Sequence, residues 1–500
     1  MTYMKMLCST AALALVTANA ALAEVTPEQV WENWKSLSTA YGQTVTSTSA
    51  AREGDVLVVR GLNITSKNAD AEATVTIEQL NFADKGDGTV DVTMSETSNM
   101  VMRTDAVEDV PATTTTLDVL TPGLLVNASG TAEEMRYQFT GPTITVRLAG
   151  IDAPDAPTDL KVEGVVSGMS GDYLVSGSAD KTIASTFKAD GLSVVIAGTN
   201  PEDSSKIDAK IDFAGLSGQS NTDTRGDMSD MAAALKAGAA ISGSFAYQSA
   251  SMDVKATDAT GTTSLTGINA GGDLNFAMDA MRLAYGGTAR EASMTASGPQ
   301  IPFPQLNLAY KEGAFNLVMP VSKADTPADF GLLLKLVDLT VSNEVWDMLD
   351  PGKQLPRDPV SVVLDASGKA KLLVDLMDET AMTNMAGTPG ELHALTLNAL
   401  QVKAAGAEIT GDGALTFDNT DLTTFSGVPA PTGNVNLKAV GLNGLLDKLM
   451  AMGLIPEDQM MGARMMLGMF AKMVEGEPDT MTSAVEFKDK HLFVNGMQLQ

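Results

Sequence analysis

Methionine is the residue this chain concentrates, and it does so in one place. Met461, Met465, Met469 and Met473 recur every fourth position, with Met466, Leu467 and Phe470 beside them. That spacing stacks side chains on one face of a helix, and a thioether is soft, unbranched and deformable. Two readings stand. The stripe fills an irregular core, or it lines an adaptable apolar groove for an acyl chain or a partner segment. On the second reading Met461, Met465, Met466, Met469 and Phe470 are the candidate ligand-binding residues. Thioether copper ligation fits worse, because such sites favour methionines on loops with histidine support.

Other chemistry is sparse. The two histidines, His393 and His491, have no second histidine or cysteine at ligand spacing, so they read as strand-edge residues and no metal site is expected. Asp84-Lys85-Gly86-Asp87-Gly88 mimics part of a calcium loop, yet the alignment puts Ala83, Lys85 and Met94 where ligands are needed, so a hairpin turn is expected. Asp152, Asp155 and Asp159 form a looser acidic loop compatible with weak calcium binding. Arg357 and Asp358, between Pro356 and Pro359, either anchor the turn that leaves a helix around Trp346 or form a recognition loop. A Gly-x-Ser-x-Gly elbow and a Walker loop are both missing from the sequence. With cysteine confined to Cys8 and histidine scarce, no catalytic residues, no enzyme activity and no cofactor are expected; a hydrolase is the least favoured class.

The N-terminus has a different character. Lys5 precedes a mostly apolar run, Met6–Val16, and Ala21-Leu22-Ala23 offers the small-x-small pattern of a signal-peptidase site. The chain therefore reads as exported to the periplasm and cut after Ala23. Cys8 leaves with the leader, so stability must come from burial without crosslinks. A formal charge of −29 repels phosphate backbones and anionic headgroups, which argues against nucleic acid as a partner. No later stretch approaches ~18 uninterrupted apolar residues, so the mature chain is expected to have no transmembrane segment.

The remaining elements must position whatever site exists. Thr26, Pro27 and Gln29 spell a capped helix start, with Val30, Trp34, Leu37 and Tyr41 on one face; Trp31 and Trp34 should pack on a sheet. Short alternating runs follow at Asp55–Ile64, Glu72–Phe82, Thr89–Met94, Thr143–Leu148, Asp172–Gly177, Leu192–Ile196 and Lys206–Phe213, with hairpin turns at Arg52–Asp55, Asp84–Gly88 and Lys188–Gly191. A helix over Met228–Lys236, opened by Asp227, interrupts them. Further strands are expected at Ala239–Gln248, Leu274–Tyr285, Gln305–Tyr310, Ala314–Met319, Leu332–Val341 (the most apolar, hence buried), Val360–Leu364, Leu372–Leu376, Leu395–Val402 and Gly413–Phe417. Ser342–Leu349 reads as a short helix. Two helices, Leu442–Met452 and Pro456–Met473, precede a closing hairpin, Ser483–Phe487 and His491–Asn495. The fold class is thus mainly β (α+β): one or more long curled antiparallel meander sheets with a few packing helices, including a C-terminal helical pair. Beyond the leader at 1–23, a first region at 24–225 and a second at 226–500 suggest themselves, or one continuous unit.

One spacing recurs: two alternating apolar residues, a jump of three, then two more. It occurs at Leu57/Val59/Leu62/Ile64, Val75/Ile77/Leu80/Phe82, Phe276/Met278/Met281/Leu283, Leu334/Leu336/Leu339/Val341, Leu395/Leu397/Leu400/Val402 and Val435/Leu437/Val440/Leu442. A β-bulge at each jump would return both pairs to one face, while at 44% apolar residues chance supplies some of these matches.

Several segments resemble a known family. Ser297-Gly298-Pro299-Gln300-Ile301-Pro302-Phe303-Pro304 is one; Trp346-Asp347-Met348-Leu349-Asp350-Pro351 with Leu355-Pro356-Arg357-Asp358-Pro359 is another; Gly453-Leu454-Ile455-Pro456, Ala463–Gly468 and Val494-Asn495-Gly496 make a third. Together they resemble the exported bacterial family called domain of unknown function 2125, over essentially the whole chain after the leader. These are turn and packing motifs, and the resemblance implies no catalytic or binding residue. Strand pairs followed by two helices and a hairpin ending near Asn-Gly also look like the ends of AsmA-like envelope proteins, which are thought to hold or conduct lipid along a curled sheet. The expected function is therefore a non-enzymatic cell-envelope protein binding lipid or another hydrophobic ligand on its sheet. The alternative is an envelope scaffold that binds protein and no lipid.

Overall fold

The computed structural model describes residues 24–500 apart from 69–70, 107–110, 154–156, 158, 379–382, 384 and 386. The leader, with Lys5, Cys8 and the cut after Ala23, and Asp155 of the acidic loop lie outside the described residues.

Short turns rich in Asp and Gly can join only antiparallel neighbours, and the chain obeys them throughout as one up-and-down sheet. Helix α1 (Pro27–Ala40) leads into β1 (Thr44–Thr46) and β2 (Ser49–Glu53), laid end to end along β3 (Val56–Lys67), which pairs with β4 (Ala71–Asp84). Along β4 lie β5 (Val90–Met94) and β6 (Thr97–Thr104); β7 (Thr113–Leu120) and β8 (Leu125–Gly130) return beside them and pair with β9 (Glu134–Asp152). Next come β10 (Lys161–Ser176), β11 (Thr182–Thr199), β12 (Lys206–Asp223) and helix α2 (Met231–Lys236). Strands β13 (Ala240–Tyr247) and β14 (Ser249–Asp258) both pair with β12, so the sheet crosses residue 226 without a break. β15 (Gly261–Asn269) and β16 (Gly272–Met278) return beside them to β17 (Arg282–Ser297), β18 (Leu306–Pro320) and β19 (Ala328–Val341). Helix α3 (Asn343–Leu349) precedes β20 (Val360–Leu372), β21 (Gly390–Ala404), β22 (Ala407–Asp418) and β23 (Ala430–Val440). Helices α4 (Leu442–Ala451) and α5 (Glu457–Phe470) then lead through β24 (Lys472–Met473) to β25 (Thr480–Lys488), β26 (His491–Val494) and β27 (Met497–Gln498).

The mainly β, antiparallel expectation holds, but the strands run longer than the apolar runs suggest, and several boundaries move. Lys188–Gly191 is no turn: it lies in mid-strand of β11, where Asp190 faces the positive-φ Gly168 of β10. Leu274–Tyr285 is two strands joined at 279–281, with Asp279 Oδ1 accepting from the Met281 and Arg282 amides. Gln305–Tyr310 and Ala314–Met319 fuse into β18, and Leu372–Leu376 is not a strand beyond Leu372. Helix α2 starts at Met231 with Asp230 as its cap, since Asp227 spends its carboxylate on the backbone and hydroxyl of Ser229. Helix α5 stops at Phe470, so Met473 leaves the stripe's helix for β24.

The jump-of-three spacing falls on a break in the regular ladder at four of six places, and two of these are bulges. In β3 Gly61 takes φ +58° between Val59 and Leu62, and the paired β4 skips Glu78 at the same level. In β19 and β21 the register shifts between Leu336 and Leu339, and between Leu397 and Leu400. The Phe276 and Val435 examples fail because a turn and a helix start interrupt them. The same kink recurs where the spacing was not flagged, at Gly168 of β10 (φ +60°) and Gly215 of β12 (φ +61°), and it falls where β13 gives way to β14. A line of such kinks bends the whole sheet at mid-height.

The main core lies under α1. The Thr26 capping box is formed, Val30 and Trp31 are buried, and Trp34 and Leu37 pack with Leu57, Leu62, Leu80, Phe82, Val92 and Tyr137. Trp31 and Trp34 stand 5.9 Å and 5.5 Å from the Phe82 ring. Tyr137 stacks on Tyr173 at 4.5 Å and donates to buried Asn33 Oδ1 at 2.8 Å; burial pushes both phenols well above their ordinary pKa. Arg52 clamps Glu28 through two bonds of 2.8 and 3.0 Å, fixing α1 to the sheet edge and holding the Glu28 carboxyl low.

The opposite end is tied by charge. Asp421 accepts from Lys490 Nζ at 2.6 Å and from the backbone and hydroxyl of Thr424, and these bonds hold its carboxyl far below the usual range. A depressed folded pKa means that the tie is fully present above the ordinary Asp value of about 3.9 and is lost as pH falls through the folded value. Hydrogen exchange in the 418–430 loop, corrected for intrinsic rates, should stay constant from pH 7 to about 4 and rise only in stronger acid. Asp421→Asn should raise it already at pH 7.

Candidate ligand-binding face

Residues directly opposite one another in an antiparallel pair share a face of the sheet, so register traces each face across the molecule. One file begins Leu57–Phe82–Val92–Val126–Phe139 and continues Gly171–Phe187–Gly218–Phe245–Leu274. It carries on as Gly287–Phe315–Leu334–Leu364–Leu400–Gly411–Leu437. At ~4.8 Å per strand this apolar line is about 75 Å long. The next file on the same face, two residues along each strand, includes Gly243–Phe276–Tyr285–Leu317–Leu332–Ala366–Leu397–Gly413–Val435. On the other side of the first runs Tyr247–Gly272–Ala289–Gly313–Leu336–Val362–Val402–Ile409–Ala439–Met481–Met473.

Below the kink the apolar face continues. Val146–Gly164–Val194–Ile211–Met252–Gly267–Met294–Leu308–Val341 spans β9 to β19. The two levels share a face, because Phe213 from below stands 5.3 Å edge-on to Tyr247, which lies 6.3 Å from Phe245 above. None of these files carries a charge. The reverse face is the opposite in character: Asp91–Asn127–Gln138–Asp172–Thr186–Gln219–Ser244–Asn275 is one of its files. It also carries the Arg290–Asp273 and Lys335–Glu312 pairs, both at 2.8 Å.

Large rings lie flat over glycines to make the apolar floor. A Cβ on Gly171 would come within 2.7 Å of Phe139 Cζ, and one on Gly218 would strike the Phe187 ring. Gly243 under Phe276, and Gly287 and Gly411 under leucines, repeat the device.

Cover differs along the face. α1 shields it from β3 onward and its C-cap, Tyr41, reaches Thr222 on β12; α2 packs on Ile241 beyond. From β16 to β20 the side chains stay open: Leu274, Phe276, Tyr285, Leu317, Leu334 and Val362 are 37–47% exposed. Leu332–Val341 is therefore not a buried strand: Leu332, Leu334 and Leu336 face this surface, while Leu333 lies on the reverse face. Below the kink the floor dips into a furrow of about 290 Å³ lined by Ile211, Phe213, Met252, Met294, Leu308 and Tyr310.

The methionine stripe does not fill a core. Met461, Met465, Met466, Met469 and Phe470 are 70, 67, 57, 44 and 37% exposed, and it is Met460 that α5 buries. The stripe stands at the end of the apolar face: Ser483, opposite Leu437, donates to the Phe470 carbonyl at 2.6 Å, and Met473 pairs with Met481. Asp479 caps α4 through the Asn443 and Gly444 amides, and Arg464 pairs with Asp447 to hold α4 and α5 together.

The remaining candidates have structural partners. His393 faces Glu391 at 3.2 Å, and His491 Nδ1 lies 2.7 Å from its neighbour's carbonyl, Asp489 O. Among the described residues no group of three or more His, Cys, Asp or Glu is arranged to hold a metal. Asp84 and Asp87 accept from the amides of the turn they begin, and Lys85 pairs with Asp91 at 2.8 Å. Asp159 is taken up by the Thr199 amide and hydroxyl. Arg357 pairs with Asp347 and donates to Asn343 at 2.8 Å, so it anchors the turn to α3. Sequence reading placed a hydrophobic ligand on the sheet but named none of the residues of this face; their signal was the recurring spacing.

The family profile described as "Uncharacterized protein conserved in bacteria (DUF2125)" matches residues 227–499, more than half of the chain. The chain belongs to the DUF2125 family. The match begins just before α2 and ends at the last hairpin, so in this DUF2125 chain it takes in the open part of the face and the methionine helix, while the covered β1–β12 end lies outside it. That is shorter than the extent read from the sequence, although all the segments quoted for the resemblance fall inside it. No curated protein and no solved structure matches the DUF2125 chain. Among its described residues no helix is long and apolar enough to cross a membrane.

Proposed function

We propose that this protein is a non-enzymatic component of the cell envelope that holds lipid acyl chains, or a similarly apolar ligand, along the open face of its sheet. What carries the reading is the uncharged apolar file and the half-exposed leucines and aromatics on it from β16 to β20. Soluble proteins rarely leave a contiguous apolar patch of that extent without an occupant, and long flexible chains match a surface that is continuous where a compact ligand needs a closed pocket. The open stretch from Leu274 on β16 to Leu364 on β20 is roughly 20 Å long at ~4.8 Å per strand. Export through the N-terminal leader and the likeness to AsmA-like proteins belong to this same proposal.

Native mass spectrometry of gently purified protein tests it, with bound phospholipid or fatty acid expected as discrete adducts. Leu334→Asp and Phe276→Asp should abolish uptake of a fluorescent fatty acid while shifting the melting temperature by only a few degrees, because both side chains are already half in water. A clean apo species with no uptake would overturn the reading.

A further inference from the structure

The exposed side of α5 needs a partner of its own, and the argument rests on the lipid-holding face proposed above. We propose that this helix face seats on a neutral phospholipid bilayer, so that the bilayer abuts the end of the apolar face. Met461, Met465, Met466 and Met469 point into solvent, while α5 anchors itself by burying Met460. The acidic charges of the helix lie at one end of the stripe: Glu457 and Asp458 occupy the first turn, one turn before Met461, and Arg464 is paired with Asp447 of α4. From Met465 to Phe470 the surface carries no charge at all.

Two observations select the occupant. The stripe is continuous with the proposed site, since the chain passes from Phe470 to Met473, whose strand partner Met481 ends the file Val402–Ile409–Ala439. Charge selects the lipid class: amphipathic helices that bind anionic membranes carry rows of Lys and Arg, whereas this stripe has none and the chain is strongly acidic. The aromatic anchors that protein interfaces concentrate, Trp and Tyr, are absent from the stripe.

Co-flotation with phosphatidylcholine vesicles tests the seat, and uptake of a fluorescent fatty acid from solution reads the sheet separately. The wild type should float, and Met461→Asp/Met465→Asp should lose roughly tenfold or more in partitioning while keeping its melting temperature. Met465→Leu should float like the wild type, which guards against misfolding as the cause. Flotation that is absent, or unchanged in the double variant, overturns the seat, as does binding confined to anionic vesicles or to a crosslinked protein. A wild type that floats but takes up no fatty acid leaves the seat standing and defeats the lipid-holding sheet.

Discussion

Phe82→Ala should lower the stability of the protein by about 3–5 kcal/mol in urea or thermal unfolding. The ring is fully buried, meets Trp31 and Trp34 edge-on or tilted, and sits in the file between Leu57 and Val92 where α1 closes over the face. Removing it opens a void lined by indoles whose own positions are fixed by the helix cap and by the Arg52–Glu28 clamp, so the site cannot collapse. Phe276 lies in the neighbouring file on the same face and is 43% exposed. Phe276→Ala should cost under about 1 kcal/mol, since little transfer energy is at stake and no cavity forms. Equal losses at the two positions would mean that the open part of the face is packed after all.

The second large effect concerns the glycine floor. Gly171→Ala would thrust a methyl against the Thr186 carbonyl oxygen and to within 2.7 Å of Phe139 Cζ. The oxygen belongs to a paired strand and cannot withdraw without breaking the ladder, so overpacking should cost about 3 kcal/mol or more. Gly150→Ala in β9, where nothing lies within 4 Å of the added carbon, is the control; there the change should stay within about 0.5 kcal/mol. Urea midpoints of the two variants decide whether the flat-lying rings are held by their glycines.

Much of the architecture was legible because local chemistry and global fold agree. Thr26-Pro27-x-Gln29 became a capping box, Asp84–Gly88 a hairpin turn, and the closing hairpin turned at Asp489 and Lys490, both with positive φ. Boundaries went astray where turn residues serve inside strands. Asp190-Gly191 has the composition of a turn, but beside Gly168 it accommodates a kink in mid-strand. The face as a site was half legible: the jump of three reveals bulges, while register alone joins Leu334 to Leu364 and Leu400 across strands far apart in sequence. The stripe illustrates a different limit. Spacing assigns Met461, Met465 and Met469 to one side of a helix, but whether that side meets protein or solvent depends on where α5 is tied down, by Asp447 and through the Phe470 carbonyl.

The borders of the sheet dwindle: three and five residues in β1 and β2 at one margin, four and two in β26 and β27 at the other. Such stubs offer an incoming strand too few free amides to zip onto, so neighbours are discouraged from splicing end to end. Reach is then a property of each polypeptide alone, a ruler whose graduations are hairpins, and evolution could lengthen it only by inserting further hairpins within.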